Sequence, residues 1–175
     1  SLNEIKREIF NLDEEYFRRK YTPKPDGRDW KIKFAKEDLK INLSIISPIL
    51  YRPFDQRKTF YTGKSKGFIA YPRHEISYHL LNKDNFALLC LRQSRDSNSN
   101  SYFITNTIFG KDALSSLDRG TGFPLYLYPD TSAQQTIQHG TAPEGNRTPN
   151  LNMDIVNQMA ERLGIPFVAE KSPSL

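Results

Sequence analysis

Residues 41–95 combine a clear excess of basic over acidic side chains with many aromatic side chains. This part has nine basic and three acidic residues, whereas residues 1–40 are nearly balanced, with 11 basic and nine acidic. It also contains eight of the chain's 21 aromatic residues. Basic groups bind phosphates and aromatic rings stack on bases, so the combination suits a nucleic acid. A solvated basic face over an aromatic core would have the same composition, and composition alone leaves both interpretations open.

Three arginines in this part have the chemistry to read bases or to bind phosphates: Arg52, Arg57 and Arg73. A guanidinium group donates two parallel hydrogen bonds, which both a guanine edge and a phosphate accept. The alternative is structural, because Asp55 lies between Arg52 and Arg57 and could form an ion-pair network that fixes a turn. The sequence leaves both roles open for Arg52 and Arg57.

Three lysines follow in the next stretch of the chain. Lys64 and Lys66 lie beside Gly63 and Gly67, where a turn would let the backbone approach a phosphate chain closely. Lys58 precedes the same turn. These side chains could contact phosphates or could be ordinary solvated lysines, and the sequence leaves both interpretations open.

A third cluster, Arg92, Gln93 and Arg95, leaves a predicted buried strand and enters the polar loop 96–101. Arginine reads guanine and glutamine reads adenine in the major groove, and a loop held by a rigid strand suits variable recognition. The cluster is therefore a candidate for base reading. The complete set of predicted DNA-binding residues is Arg52, Arg57, Lys58, Lys64, Lys66, Arg73, Arg92, Gln93 and Arg95.

The sequence carries no recognisable catalytic or cofactor-binding motif. Its glycines form neither the dinucleotide fingerprint nor the phosphate-binding loop with its lysine. His74, His79 and His139 are too few, and Cys90 is too isolated, for a zinc site. Glu170 begins a Glu-Lys pair typical of the end of a nuclease motif, but no strand-borne aspartate precedes it at a suitable spacing. We expect a binding domain with no catalytic residue, metal or cofactor of its own.

Several protein classes are excluded by simple features. No apolar run approaches the ~20 residues of a membrane-spanning helix, and the first residues lack the basic and apolar regions of a signal peptide. Cys90 is the single cysteine, which excludes an internal disulfide and indicates a buried thiol in a reducing compartment. We therefore expect a cytoplasmic protein that does not bind membranes.

Helices are predicted at both ends of the chain. Apolar residues recur at helical spacing through residues 1–22, and Pro23 and Pro25 follow. A second helical stripe covers residues 152–164, where Gly164 is placed to cap the C-terminus. These two segments would flank whatever structure positions the basic residues.

Short strands are predicted between these helices. Apolar and basic residues alternate from Trp30 to Phe34, which indicates a strand before a short helix at 35–40. Further predicted strands cover 48–52, 59–61, 86–92, 102–106 and 123–128, with a turn at 54–57 and a helix at 73–81. Residues 130–150 are polar and indicate a flexible loop or linker. The sequence predicts a single α+β domain over 1–175, with a mixed, mostly antiparallel twisted sheet and flanking helices.

Four sequence blocks resemble one restriction–modification family, the single-polypeptide Type ISP enzymes and related N6-adenine DNA methyltransferases. The main block, Tyr51-Arg52-Pro53-Phe54-Asp55-Gln56-Arg57 followed by Phe60-Tyr61, is similar to the family signature Y-R-P-F-D-x-R-x-x-Y-Y. The other blocks are Asp26–Trp30 (D-S-R-D-W), Tyr71–Glu75 (R-P-R-x-E) and Phe123–Pro129 (F-P-L-Y-L-Y). Three positions depart from the pattern: Gly27 replaces Ser, Phe60 replaces Tyr and Tyr71 replaces Arg.

The resemblance implies a C-terminal target recognition domain, which reads double-stranded DNA for an adenine-specific methyltransferase with a helicase-like translocase. It implies that the parent enzyme uses S-adenosylmethionine, ATP and Mg²⁺, and that DNA and the remaining domains of the parent polypeptide are the partners. Neither the methyltransferase's glycine-rich loop nor its N-P-P-aromatic motif occurs here. The alternative is a non-catalytic interaction domain that couples the methyltransferase to other parts of the enzyme.

Overall fold

Helices form the N-terminal part of the chain, and short strands form most of the remainder. The computed structural model describes residues 1–41, 44–95, 101–129 and 147–167. Its helices are α1 (Leu2–Asn11), α2 (Glu14–Tyr21), α3 (Ile32–Ile41), α4 (His74–Ser77) and α5 (Met153–Leu163). Its strands are β1 (Ile45–Arg52), β2 (Asp55–Tyr61), β3 (Ala87–Leu91), β4 (Tyr102–Thr105), β5 (Ile108–Phe109), β6 (Gly120–Pro124), β7 (Tyr126–Leu127) and β8 (Thr148–Pro149).

The predicted α+β class is confirmed, with mostly antiparallel strand pairing. The strands divide into three small sheets of order β2-β1-β5, β4-β3-β6 and β7-β8. Only the β1–β5 pair among these is parallel. None of the helices in the described parts of the chain is long and apolar enough to cross a membrane.

The helix predicted over residues 1–22 is interrupted once. The helix α1 begins with a capping box, in which Ser1 and Glu4 each accept a hydrogen bond from the other's backbone nitrogen. It ends at Asn11, and the side chain of Asp13 then caps α2 by accepting hydrogen bonds from the backbone of Glu15 and Tyr16. Because a new N-cap starts a new helix, the segment forms two helices where the sequence analysis predicted one.

The strand predicted from Trp30 to Phe34 is wrong. Residues from Ile32 onward belong to α3, whose buried face carries Ile32, Ala35 and Leu39. These residues are spaced three and four apart, as one side of a helix requires. The alternation of apolar and basic residues over five positions was too short to distinguish a strand from the start of this helix.

Among the described residues, three groups of buried side chains form the core. The first packs the N-terminal helices against β2 and contains Ile9, Phe17, Ile32, Leu39 and Phe60. The second group is centred on Tyr61 of β2 and Leu80, and the third on Leu50 of β1 and Leu89 of β3. The β1–β2 hairpin therefore contributes to all three groups.

The remaining predictions of elements have mixed outcomes. The C-terminal helix is confirmed: Asn152 caps α5 and Gly164 ends it with φ +64°. The predicted buried strand at 86–92 is wrong in its burial, because Phe86 and Leu88 are exposed and the thiol of Cys90 is only half-buried. Of the predicted linker, residues 130–146 lie outside the described residues, and Thr148–Pro149 is the strand β8.

Candidate nucleic-acid interface

The β1–β2 hairpin tip and the residues that follow β3 lie at the same end of the two three-stranded sheets. Arg52, at the tip, donates a hydrogen bond to the carbonyl oxygen of Asp112 at 2.6 Å. The backbone nitrogen of Gly120 donates to the carbonyl oxygen of Lys111 at 3.0 Å, and Gly120 pairs with Leu91. The segment 110–119 therefore joins the hairpin tip to the start of the Arg92 cluster. We call this region the shared end.

Two arginines of the hairpin lie against one aromatic ring. The guanidinium carbon of Arg57 is 3.8 Å from the ring centroid of Tyr51, and that of Arg52 is 4.7 Å from it. Arg57 also hydrogen-bonds to Asp55, with Nη2 at 2.9 Å from Oδ2. Only half of the predicted ion-pair network of Asp55 with Arg52 and Arg57 is therefore formed. Asp55 bonds to Arg57, whereas Arg52 donates to the backbone oxygens of Tyr51 and Asp112.

Both groups of the Asp55–Arg57 pair are stabilised in their charged forms. Hydrogen bonding to Arg57 lowers the pKa of Asp55, and the same contact raises the pKa of Arg57. The side chains remain 40% and 56% exposed, so solvent screens the pair and its contribution to stability is small. The guanidinium of Arg57 is accessible to an anionic partner.

The turn between β1 and β2 contains two residues, Pro53 and Phe54, rather than the predicted 54–57. Phe54 has φ +65°, and its side chain is 93% exposed. A bulky residue in the left-handed region costs about 1–3 kcal/mol and persists only where the surroundings enforce it. An edge-to-face contact with Phe103, at 5.2 Å between ring centroids, supports one side of the Phe54 ring.

Arg92, Gln93 and Arg95 line one side of an open cleft at the shared end. The opposite side consists of Leu117, Asp118 and Arg119. Asp118 holds the two sides together, since its carboxylate accepts from the backbone nitrogen of Arg95 at 3.3 Å and lies 3.5 Å from that guanidinium. Most of the predicted polar loop, 96–100, lies outside the described residues.

Arg119 is a basic residue of this cleft that sequence reasoning missed. Its side chain is exposed, and it lines the same cleft as the Arg92 cluster. Residues 96–130 have two basic and four acidic side chains, so a segment-by-segment charge count gave no reason to select Arg119. Only the pairing of β6 with β3 brings the two segments together.

Lys64 and Lys66 lie beyond the other end of β2, on a loop anchored to the buried carboxylate of Asp38. This carboxylate accepts hydrogen bonds from the hydroxyl of Thr62 at 2.8 Å and from the backbone nitrogen of Phe68 at 2.7 Å. The loop thus has a fixed base while both lysine side chains are exposed. The structure places these lysines apart from the shared end.

Gly63 and Gly67 of this loop let the backbone pack closely against side chains of the protein itself. A Cβ at Gly67 would lie 2.1 Å from an oxygen of Asp38, so only a glycine fits there. Gly63 has φ +77° and approaches the ring of His74 so closely that an added Cβ would lie 2.9 Å from Nδ1. The close backbone approach predicted from these glycines therefore occurs toward Asp38 and His74.

The two other predicted contact residues are exposed but differ in setting. Lys58 lies on β2, which is the edge strand of its sheet, opposite Pro48. Arg73 precedes α4 with φ +48°, and its carbonyl oxygen accepts from the backbone nitrogens of Ile76 and Ser77. Arg73 lies in the connection that follows the lysine loop, away from the hairpin tip along the chain.

Histidines 74 and 79 make hydrogen bonds within the fold. The Nδ1 atom of His74 is 3.0 Å from the hydroxyl of Tyr61, and Nδ1 of His79 accepts from the backbone nitrogen of Tyr128 at 3.0 Å. In the described parts of the chain, no group of three or more His, Cys, Asp or Glu side chains is arranged to hold a metal ion.

Comparison with known proteins now identifies the family. The profile of the Type ISP C-terminal specificity domain matches residues 1–172. The chain belongs to this family. A specificity domain is the target recognition part of a restriction–modification system. Neither the curated proteins nor the solved structures contain a match to the chain.

Three of the four sequence blocks that resemble Type ISP enzymes make contacts within the fold of this specificity domain. A hydrogen bond from Tyr71 to Asp29 links the block Tyr71–Glu75 to the block Asp26–Trp30. This bond is the main reason why the pKa of Asp29 is lowered. Asn85 holds the fourth block, because its side chain bonds to both backbone nitrogen and oxygen of Tyr126. These three blocks therefore contribute contacts that hold the fold together.

Proposed function

We propose that this specificity domain recognises a particular sequence in double-stranded DNA. In this proposal it serves an adenine-specific methyltransferase and an ATP-dependent restriction machine in the same parent polypeptide. DNA and the remaining domains of that polypeptide are its partners, and the cytoplasm is its location.

The proposal rests mainly on the basic side chains of the shared end, where Arg92 and Arg119 line one cleft and the segment 110–119 connects that cleft to the hairpin tip. Arg57 from the hairpin and Arg92 and Arg119 from the cleft come from three separate segments. All three guanidinium groups lie on exposed residues. Arginines on loops that a rigid sheet holds in place suit base reading and phosphate contact together.

The cofactors implied for the parent enzyme belong, in this proposal, to its other domains. S-adenosylmethionine would supply the methyl group there, and ATP with Mg²⁺ would drive translocation. The described residues of the specificity domain do not fit these groups, since they present neither an acidic metal cluster nor a glycine-rich loop with a lysine for a triphosphate. Its contribution is to hold the correct DNA sequence in register.

A second role, docking to the rest of the polypeptide, is favoured by an apolar sheet face. Leu88, Ile104 and Phe123 form one row across β4-β3-β6 and are 45%, 66% and 46% exposed. A contiguous exposed apolar patch of this kind marks an interaction surface. This is the interaction-domain alternative, and it is compatible with DNA recognition elsewhere on the molecule.

The test of the proposed function is a binding titration of the full polypeptide. Sequencing of methylated adenines in DNA from expressing cells would provide the target site. Binding to a duplex with that site should exceed binding to a random duplex by at least about 1,000-fold at physiological salt. The variant Arg92→Ala should reduce this ratio, whereas Arg7→Ala, on the exposed surface of α1, should leave it unchanged. Equal affinity for both duplexes would contradict the proposal.

A further inference from the structure

Phe54 is the most exposed large hydrophobic residue among the described parts of the chain, at 93%. The next most exposed, Ile41, is at 75%. Isolated apolar residues on a surface are common, but a fully presented aromatic ring at the tip of a hairpin is costly in water. Its position therefore calls for a partner that covers it.

The backbone at this position favours glycine, yet the chain has phenylalanine. Pro53 restricts its own φ to about −65°, and Phe54 follows with φ +65°. This order of negative and positive φ is that of a type II turn, which favours Gly or Asn at the second central position. A glycine would make the turn without strain. The strained aromatic residue therefore indicates that the side chain itself has a function.

Basic residues flank the turn that carries Phe54. Arg52 and Arg57 flank the turn and lie against Tyr51, while Asp55 compensates only one of them by a direct hydrogen bond. An aromatic residue at the tip of a turn that two arginines flank is complementary to a polyanion with an apolar interior. Duplex DNA has this chemistry, with phosphates outside and stacked bases inside.

We infer that Phe54 is a wedge that inserts between neighbouring base pairs of the bound duplex. The inference rests on the proposed DNA recognition and adds the mode of contact. Apolar side chains that enter a base step unstack it and kink the duplex. Arg52 and Arg57 lie where they would neutralise phosphates beside the opened step, and Phe103 supports the ring from behind.

The variant Phe54→Trp introduces a fluorescent reporter at the hairpin tip of the full-length polypeptide. The wild type, which has Trp30 but no tryptophan at position 54, gives the background fluorescence. The probe is duplex DNA of random sequence at low salt. Stacking between bases should quench the introduced indole and protect it from acrylamide, while the wild-type signal changes little. Unchanged fluorescence at saturating DNA would overturn the inference.

A second variant separates the wedge from folding. Phe54→Gly places the preferred residue at the turn, so the unfolding midpoint should be unchanged or higher. Its affinity for DNA should nevertheless fall by about 5- to 150-fold, the range expected for losing one base-stacking aromatic contact. Phe54→Leu should retain part of the affinity, since leucine also acts as a wedge. Equal affinity of wild type and Phe54→Gly would contradict the wedge.

The two proposals fail in different ways. If the wild type binds no DNA at low salt, the proposed function itself is wrong. If the wild type binds but the introduced indole does not respond, only the wedge is wrong. If that indole is already shielded from acrylamide before DNA is added, Phe54 docks against another domain, and the wedge is also wrong.

Discussion

At the scale of single residues, the carboxylate of Asp38 determines how Lys64 and Lys66 are presented. It is fully buried on α3 and accepts hydrogen bonds from Thr62 and from the backbone of Phe68. A buried carboxylate is retained only where donors replace its water, and here the donors come from the lysine loop. The loop is therefore fixed to the helix layer through one side chain.

We expect Asp38→Ala to destabilise the fold by about 1–3 kcal/mol, because the partly buried hydroxyl of Thr62 and backbone N–H of Phe68 lose their acceptor. The free energy of unfolding in urea would measure the change. The matched control is Glu37→Ala, the exposed neighbour on the same helix, which should stay within about 0.5 kcal/mol of the wild type. Equal effects of the two variants would show that the carboxylate does not anchor the loop.

Tyr61 makes the stability sensitive to alkaline pH. Burial raises the pKa of its hydroxyl from the ordinary value of 10.0 to about 12. A raised pKa in the folded state means that the neutral phenol stabilises the fold fully below pH 10, and that this contribution is lost as the pH rises toward 12. The phenolate forms more readily in the unfolded chain.

The variant Tyr61→Phe isolates this effect. Other tyrosines and the lysines titrate in both proteins, so the difference between their free energies of unfolding reports on position 61. Between about pH 10 and 12 the wild type should lose stability relative to Tyr61→Phe, as the linkage relation requires. A difference that stays constant over this range would contradict the role assigned to burial.

At the scale of elements, the success of sequence interpretation depends on local signals. The helix α5 was predictable because Asn152 and Gly164 cap it and its apolar stripe is regular. The helix α3 was not, because its N-terminus is satisfied by a remote residue: Asp26 accepts the backbone hydrogen of Ile32 across six positions. The residues next to the start of α3 therefore provide no N-cap signal from which the helix could be predicted.

The loop that follows β3 carries Arg92 and Gln93, the candidate base-reading residues. If Arg92 and Gln93 read bases, Arg92→Ala or Gln93→Ala should cost about 1–3 kcal/mol at one base position and relax specificity there. Lys64→Ala should instead weaken binding to all sequences about equally. Methylation of a library of single-base variants of the target would measure both effects. An unchanged base preference in Arg92→Ala would exclude this loop as the reader.

At the scale of the whole molecule, the sequence indicated the class of fold and the basic region but not their arrangement. Mixed helical and strand patterns sufficed for an α+β prediction, and the charge count selected residues 41–95. The shared end depends on long-range pairs such as Leu50 with Phe109 and Leu91 with Gly120. Such pairs do not affect the local periodicity of the sequence. The sequence analysis therefore could not place Arg119 beside the Arg92 cluster.

The two basic regions are separated by the length of one strand. The lysine loop and the hairpin tip lie at opposite ends of β2, whose seven residues span about 20 Å, or roughly six base pairs of DNA. A duplex lying along this strand would contact phosphates at both ends. Each lost contact should then reduce the slope of log affinity against log salt by about 0.9.

We therefore expect Lys64→Ala and Arg119→Ala each to lower the salt slope by about 0.9, and the double variant to lower it by about 1.8. Binding of the full polypeptide to a random duplex at several salt concentrations would measure these slopes. Arg7→Ala on α1 is the control and should leave the slope unchanged, since it changes the charge of the protein equally. If only one of the two single variants changes the slope, the duplex crosses that end alone, and the alignment of DNA along β2 is wrong.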